Sequence, residues 1–382
     1  MQQTVPVEHC SQLQQRTSQA KYYGNNSNTN NESQLKTESP LANCSEFPLH
    51  CGSYSYLIGL IVVTGGLDDE FLGSDEEEPV FIGWVVVDAN SNEYVCSHIK
   101  YVQPENMTKV NWDLIRQRNL SETAIRSAML FTEVIESLDA IARTQLAGST
   151  GGISMMFVTD GQLPIRQVLH PQAAKKFIDT DLPAYYWYFC DIRKEYCKFT
   201  NNNEPGRNLN EIMKTMGLSP QTDPVETLKN FGLVLSLMLK QSKERGVLCF
   251  SEPECVKKVL EHGICQRDDT IDSETVVRVR GLPWQTSDHD VAKFFQGLNV
   301  AKGGVALCLS PFGRRNGEAL VRFDSVDHRD MALRRHRHFM GNRYIEVYRA
   351  TGEDFIAVAA GKSVREVSSV LRCDVPPPTK LI

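Results

Sequence analysis

Three aspartates that follow predicted strands are the side chains of this sequence best suited to metal-assisted hydrolysis. They are Asp88, Asp160 and Asp191, and two carboxylates that share a divalent ion are the least that such chemistry requires. Aspartate is also a preferred helix cap and turn residue, and we expect that structural role at these positions. The sequence therefore predicts no catalytic residue, no metal site and no cofactor.

The cysteines do not form a recognisable metal or redox motif. There are 11 of them, spaced irregularly, and no two stand in a Cys-x-x-Cys pair, which excludes the common zinc and thioredoxin spacings. Their odd number indicates reduced thiols of the cytosol or nucleus. The sequence has no run of about 18 apolar residues, and residues 1–9 lack the pattern of a secretory signal. We therefore expect no membrane partner.

Basic residues are concentrated in one segment of an otherwise acidic chain. Residues 276–349 hold 13 Lys and Arg against 7 Asp and Glu, a formal charge of +6, whereas the rest of the 382 residues holds 28 against 40, or −12. Such a module indicates contact with nucleic acid, although a solvated helix face gives a similar cluster. Within it, Arg314 and Arg315 lie in a glycine-flanked loop and suit contacts with phosphates.

The elements that must position these residues begin with an α/β domain. Residues 1–50 are rich in Asn, Gln, Ser and Thr and are predicted to be disordered. Residues 51–250 should form a domain with a mixed sheet, because strands and helices are interspersed along them. The strands are predicted at residues 57–63, 79–88, 94–102, 153–159 and 184–190, and the helices at 121–146, 209–216 and 225–241.

A smaller domain follows a predicted linker over residues 251–274. Residues 275–351 show the element order β-α-β-β-α-β, which is that of an RNA recognition motif (RRM). Its second helix is predicted over residues 324–336, and the Arg- and His-rich segment 334–338 should be a solvated helix end. Residues 352–382 should form a short helix and a flexible tail.

The positions at which an RRM sheet stacks RNA bases hold no aromatic residue in this sequence. The inner-strand stretch 316–323 keeps a glycine and a final phenylalanine, but Glu318 and Leu320 occupy its two stacking positions. Arg278 occupies the stacking position of the first strand. Because each missing ring loses roughly 1–3 kcal/mol of base stacking, we expect RNA to bind elsewhere than on the sheet.

Several segments resemble the quasi-RRM of heterogeneous nuclear ribonucleoproteins F and H. These are residues 280–284 (RGLPW), 313–319 (GRRNGEA) and 343–347 (RYIEV). The sequence is more similar to the first such module of the epithelial splicing regulatory proteins, called fusilli in insects. That likeness is carried by residues 301–304 (AKGG), 314–323 (RRNGEALVRF) and 350–355 (ATGEDF).

The resemblance implies that loops hold G-rich RNA, and it implicates Arg280, Trp284, Arg343 and Tyr344. The two rings can stack on bases, and each guanidinium can stack or donate two hydrogen bonds to guanine O6 and N7. The family binds single-stranded G- and GU-rich pre-mRNA and regulates alternative splicing. The resemblance therefore implies an RNA-binding splicing regulator of the nucleus.

The same family carries an N-terminal domain that resembles the ribonuclease H-like exonuclease fold. Residues 158–163 (VTDGQL), 166–171 (RQVLHP) and 191–195 (DIRKE) carry this likeness. Active exonucleases of the fold end their first strand with Asp-x-Glu, whereas residues 62–66 read VVTGG. We therefore expect that the chain is not an enzyme and that this domain binds spliceosomal or ribonucleoprotein partners.

Two alternatives remain at this point. The chain could be an active 3′–5′ exonuclease with an accessory RNA-binding domain, a possibility opposed by the missing carboxylates. It could also be a protein-interaction adaptor whose quasi-RRM no longer binds RNA. The presence of Arg280, Trp284, Arg343 and Tyr344 argues against the adaptor.

Overall fold

The structure is a computed structural model that describes residues 54–66, 78–147, 154–201 and 207–361. The polar segment predicted over residues 1–50 and the tail after residue 361 lie outside these ranges. Within the part of the chain that is described, no helix is both long and apolar enough to cross a membrane.

A mixed seven-stranded sheet forms the first domain. The strands are β1 (Tyr56–Thr64), β2 (Pro79–Asp88), β3 (Glu93–Gln103), β4 (Met129–Leu130), β5 (Met155–Thr159), β6 (Tyr188–Asp191) and β7 (Glu254–Cys255). Strands β1 to β3 form an antiparallel meander. Three pairs are parallel, namely β4 with β3, β5 with β1 and β6 with β5, and β7 closes the far edge antiparallel to β6. The order across the sheet is β4-β3-β2-β1-β5-β6-β7.

Helices cover both faces of this sheet because its central strands are apolar on both sides. Ile58 faces a core shared with α3 and α4, whereas Leu57 faces a core shared with α5, α6 and α7. The helices are α1 (Trp112–Gln117), α2 (Glu122–Arg126), α3 (Phe131–Gln145), α4 (His170–Lys175), α5 (Ile192–Thr200), α6 (Leu209–Thr215) and α7 (Pro224–Arg245). A π-helical turn, Pro164–Leu169, leads into α4.

The single helix predicted over residues 121–146 is wrong. Ser121 caps a helix as expected, but α2 ends at Arg126 and α3 begins at Phe131. Between them β4 pairs with the edge strand β3, so backbone groups that a helix would satisfy are satisfied by the sheet instead. The strand predicted over residues 184–190 is also shorter than expected, because Ala184–Trp187 form a 3₁₀ turn and only β6 pairs with the sheet.

A second sheet of five antiparallel strands confirms the β-α-β-β-α-β order. Its strand order is β11-β12-β8-β10-β9, and β11 is an added hairpin strand that the sequence did not predict. The elements are β8 (Val276–Arg280), α8 (Asp288–Phe294), β9 (Val300–Leu309), β10 (Arg315–Phe323), α9 (Val326–Leu333), β11 (His338–Met340), β12 (Arg343–Arg349) and α10 (Gly352–Ala359). Helices α8 and α9 pack on one face of this sheet around Phe295 and Phe323.

A buried polar network joins the two domains. The Arg335 guanidinium, whose residue is only 4% exposed, donates to the carbonyls of Phe294 and Gln296 at 2.6 and 2.7 Å. It also donates to Gln167 Oε1 at 2.8 Å, across the domain boundary. The prediction that residues 334–338 are a solvated helix end is therefore wrong, because α9 stops at Leu333 and the side chains of Arg335 and His338 are buried, although Arg337 is exposed.

Arg166 makes the reciprocal contact from the π-helical turn. It is fully buried, and its Nη1 donates to the carbonyl of Gly297 at 3.0 Å. Gly297 has a φ of +94°, and a Cβ there would lie 2.2 Å from the Arg166 carbonyl oxygen, so the two backbones meet only because this residue is glycine. Burial lowers the pKa of Arg166, and the nearby Glu254 carboxylate opposes that shift. The two sheets thus belong to one compact unit.

Candidate nucleic-acid interface

Helix α10 covers the sheet face on which an ordinary RRM stacks bases. Leu320, in one of the usual stacking positions, is fully buried against Phe355 of α10. Arg278, in another, lies 3.7 Å from the Asp354 carboxylate on the same helix. A capping box between Thr351 and Asp354 fixes the start of α10. This face is therefore occupied by the chain itself.

Three connections of the five-stranded sheet converge at one of its ends. Gly281, with a φ of +89°, would place a Cβ 3.0 Å from the Tyr344 carbonyl oxygen, so the β8–α8 loop lies directly against β12. Leu282 N–H donates to the Gly317 carbonyl at 3.0 Å, which ties the same loop to β10. Arg315 donates to the Thr286 carbonyl, and Thr286 Oγ1 lies 3.8 Å from Met340 Sδ in β11.

Aromatic side chains are exposed at this end, which we call the loop surface: residues 280–286, 310–315 and 339–344. Trp284 is 68% exposed and Tyr344 57% exposed, as a base-stacking role requires. The structure adds Phe339, 63% exposed, whose ring lies 6.4 Å from Tyr344 and nearly perpendicular to it. Phe312 projects from the β9–β10 loop and is also exposed.

Neither of these added phenylalanines was predicted from the sequence. The signal for Phe339 is that side chains alternate between the two faces of a strand. Since His338 of β11 is buried, the next side chain, Phe339, points outward. Phe312 stands beside Gly313 in a turn, where a large apolar residue has no core to enter.

The predicted arginines have different surroundings. Arg343 and Arg314 are exposed. Arg315 is exposed as well, although its guanidinium donates to the Thr286 carbonyl. Arg280 Nε lies 2.8 Å from Glu318 Oε1, and the hydrogen bond to that carboxylate raises the pKa of Arg280. A base that binds Arg280 must therefore share it with Glu318.

Two of the three aspartates considered in the sequence, Asp88 and Asp191, serve as turn and cap residues. Asp88 Oδ1 accepts from the backbone of Asn90 and Ser91 in a turn. Asp191 caps α5 and accepts from Gly161 N–H at 3.1 Å, and burial raises its pKa to about 6. That no catalytic residue lies among them stays a prediction.

A cleft of about 390 Å³ opens at the end of β1. Asp160 lines it and is paired with Arg193 at 2.7 Å. Arg118 lines the same cleft, and burial lowers its pKa. In the ranges that the structure describes, no three His, Cys, Asp or Glu side chains are grouped so that they could hold a metal ion.

Comparison with known proteins identifies the second domain. Residues 277–368 match the family described as RRM domain. The chain is 34% identical over 100 residues to human G-rich sequence factor 1, covering 26% of this chain and 21% of that protein. It is 36% identical over 96 residues to bovine heterogeneous nuclear ribonucleoprotein F, covering 25% and 23%. The chain thus spans less than a quarter of the length of these relatives.

Solved structures resemble both domains. The crystallised nuclease domain of 3′hExo, described as a DEDDh family member bound to rAMP, aligns with 55% of this chain and 100% of its own at 16% identity and a TM-score of 0.44. The structure of human G-rich RNA sequence binding factor 1 aligns with 26% of this chain and 96% of its own at 33% identity and a TM-score of 0.20.

The family match confirms the predicted RRM domain, and the strand pairing confirms that the first domain is built on a mixed sheet. The comparisons also confirm the relationship of the RRM to that of heterogeneous nuclear ribonucleoprotein F. The prediction that the chain is not an enzyme is contradicted, because the structures that resemble its first domain include 3′-exonucleases.

Proposed function

We propose that this chain binds single-stranded G- and GU-rich RNA through the loop surface of its RRM. One observation carries the proposal: α10 covers the sheet face and buries Leu320, whereas Trp284 and Tyr344 are exposed at the end of the sheet. Phe339 and Tyr344 expose adjoining rings, and stacking of unpaired bases gives such a group of exposed rings a function.

Each part of the loop surface has a distinct chemical role in this proposal. Trp284 and Tyr344 stack on purines, and Phe339 provides a further ring beside Tyr344. Arg343 donates to guanine O6 and N7. Arg280 donates to guanine in the same way while it keeps its ion pair with Glu318. Arg314 and Arg315 contact phosphates, which adds affinity without sequence preference.

The preference for guanine is supported by the relatives. One is named for G-rich sequences, and a solved structure of such a factor aligns with the RRM at 33% identity. The segments that resemble the epithelial splicing regulatory proteins, together with the likeness to a heterogeneous nuclear ribonucleoprotein, extend the proposal further. We propose on these grounds that the chain is a nuclear regulator of alternative pre-mRNA splicing and that its first domain contacts ribonucleoprotein partners.

Crosslinking of the full chain to RNA in cells, followed by sequencing of the bound RNA, tests this function. We expect G- and GU-rich intronic sites near regulated exons, and we expect a Trp284→Ala, Tyr344→Ala double variant to lose them. Sites without guanine enrichment would contradict the proposal. The same protein incubated with labelled RNA and Mg²⁺ or Mn²⁺ tests the exonuclease alternative, for which the RNA should shorten from its 3′ end.

A further inference from the structure

A cleft of about 830 Å³ lies between the two domains and opens directly beside the loop surface. One wall is formed by the first domain, including Lys109 and Lys175. The other is formed by the RRM, including Lys293 of α8 and two residues of the loop surface, Gln285 and Phe339. The cleft therefore begins at residues that already belong to the proposed RNA surface.

The walls of this cleft are held at a fixed spacing. Arg335, one of its lining residues, is the buried arginine that links Gln167 of the first domain to backbone carbonyls of the RRM. On a neighbouring edge, Lys293 Nζ lies 5.7 Å from the ring centroid of Phe177, a second contact across the boundary. Because these contacts fix the two domains, the cleft is a built groove and not a gap between independent domains.

The charge of the cleft favours an anionic occupant. Among its described lining residues are Lys109, Lys175, Lys293 and Arg335 but only one acidic residue, Asp290. That carboxylate sits in the capping box of α8, where the Ser287 backbone and hydroxyl donate to it. These hydrogen bonds lower the pKa of Asp290, so it stays ionised, and the four cationic side chains of the lining outnumber it.

We propose that this cleft, which we call the interdomain groove, binds the RNA segment adjoining the guanines held by the loop surface. The proposal rests on the proposed function, since the loops must first hold RNA for a neighbouring segment to reach the groove. Lys109 and Lys175 contact its phosphates from the first domain, and Phe339 stacks a base at the entrance. The first domain is thereby a second part of one continuous RNA-binding site.

Grooves that follow single strands in this way combine basic side chains along the backbone with rings for the bases, and they read little sequence. The loop surface therefore supplies base preference, and the interdomain groove supplies length-dependent affinity. Loss of two phosphate contacts on a single strand should weaken binding about tenfold at 0.15 M salt and should lower the salt slope by about 1.4.

The experiment compares two RNAs on the full chain: one G-tract alone, and the same G-tract extended at both ends by unstructured uridines. The groove variant is Lys109→Ala with Lys175→Ala, and its matched control is Lys214→Ala with Lys240→Ala, two exposed lysines on α6 and α7 outside the groove. We expect the groove variant to bind the extended RNA about tenfold more weakly and the short G-tract as the wild type does. The control variant should bind both RNAs like the wild type.

The outcomes separate this inference from the function on which it rests. If Trp284→Ala weakens the binding of both RNAs while the groove variant binds them like its lysine control, the loop surface binds RNA and the groove does not. If Trp284→Ala weakens neither RNA, the loop-binding function itself fails. Equal losses for both RNAs in the groove variant would also overturn the inference, because the groove would then not be specific to the extension.

Discussion

Arg335 should hold the two domains together, and its replacement should uncouple them. Its guanidinium donates hydrogen bonds to four buried or half-buried acceptors: the carbonyls of Phe294, Gln296 and Arg166, and Gln167 Oε1. A hydrogen bond from a charged donor contributes about 1.5–3 kcal/mol, and a buried acceptor left unpaired costs about 1–3 kcal/mol. Water that enters the vacated space satisfies part of this set, so we expect Arg335→Ala to lose roughly 3–5 kcal/mol.

Thermal unfolding of the full chain measures this effect. The wild-type protein should unfold in one transition, whereas Arg335→Ala should unfold in two, with the RRM melting on the order of 10 °C lower. The control is Arg349→Ala, an exposed arginine whose ion pairs with Glu274 and Asp330 should contribute about 0–1 kcal/mol. Identical melts for the two variants would refute the buried interface.

The remaining predictions concern charge, the sheet face and pH. Arg314→Ala with Arg315→Ala should lower the salt slope of RNA binding by about 1.4 and leave base preference nearly unchanged; a collapse of base preference would mean that these arginines read bases. Glu318→Phe places a ring on β10, and Glu318→Ala is its matched control because both changes release Arg280; the two variants should bind RNA with similar affinity in filter binding, and a strong gain in Glu318→Phe alone would return binding to the sheet. Burial lowers the pKa of His170 to about 4. As pH drops, His170 is protonated in the unfolded chain before it is protonated in the folded protein. The free energy of unfolding should therefore fall between pH 6.5 and pH 4, by on the order of 3 kcal/mol for this residue. Denaturant unfolding should show a smaller loss in His170→Gln, and an equal loss in both proteins would place the effect elsewhere.

Apolar patterns predicted the central strands well because burial on one or both faces dictates their composition. The predicted strand at residues 79–88 coincides with β2, and that at residues 57–63 lies within β1. The pattern failed where tertiary contacts override it. Residues 127–130 continue a helical spacing, yet β4 forms there because the edge of β3 offers it backbone partners.

The functional surface was predictable in part. A resemblance in short motifs was enough to select Trp284 and Tyr344, which the structure exposes on adjoining segments. The burial of Arg166 and Arg335 could not be foreseen, because both donate to backbone carbonyls that are distant in the sequence. Arg166 donates to the carbonyl of Gly297, and Arg335 donates to the carbonyls of Arg166 and Gln296. The interdomain groove escaped prediction for the same reason, since its walls come from separate domains.

The affinity of the full chain for single-stranded G-rich RNA, measured for ring variants of the loop surface, tests the central claim most directly. Trp284→Ala and Tyr344→Ala should each lose about 1–3 kcal/mol, which is roughly 5- to 150-fold in Kd, and Trp284→Phe should recover most of that loss. Arg343→Ala should lose a similar amount because guanine loses its paired donors. Tyr94→Ala, which removes an exposed ring from β3 of the first domain, should bind like the wild type. With circular dichroism showing every variant folded, unchanged binding in Trp284→Ala and Tyr344→Ala would contradict RNA recognition by the loops.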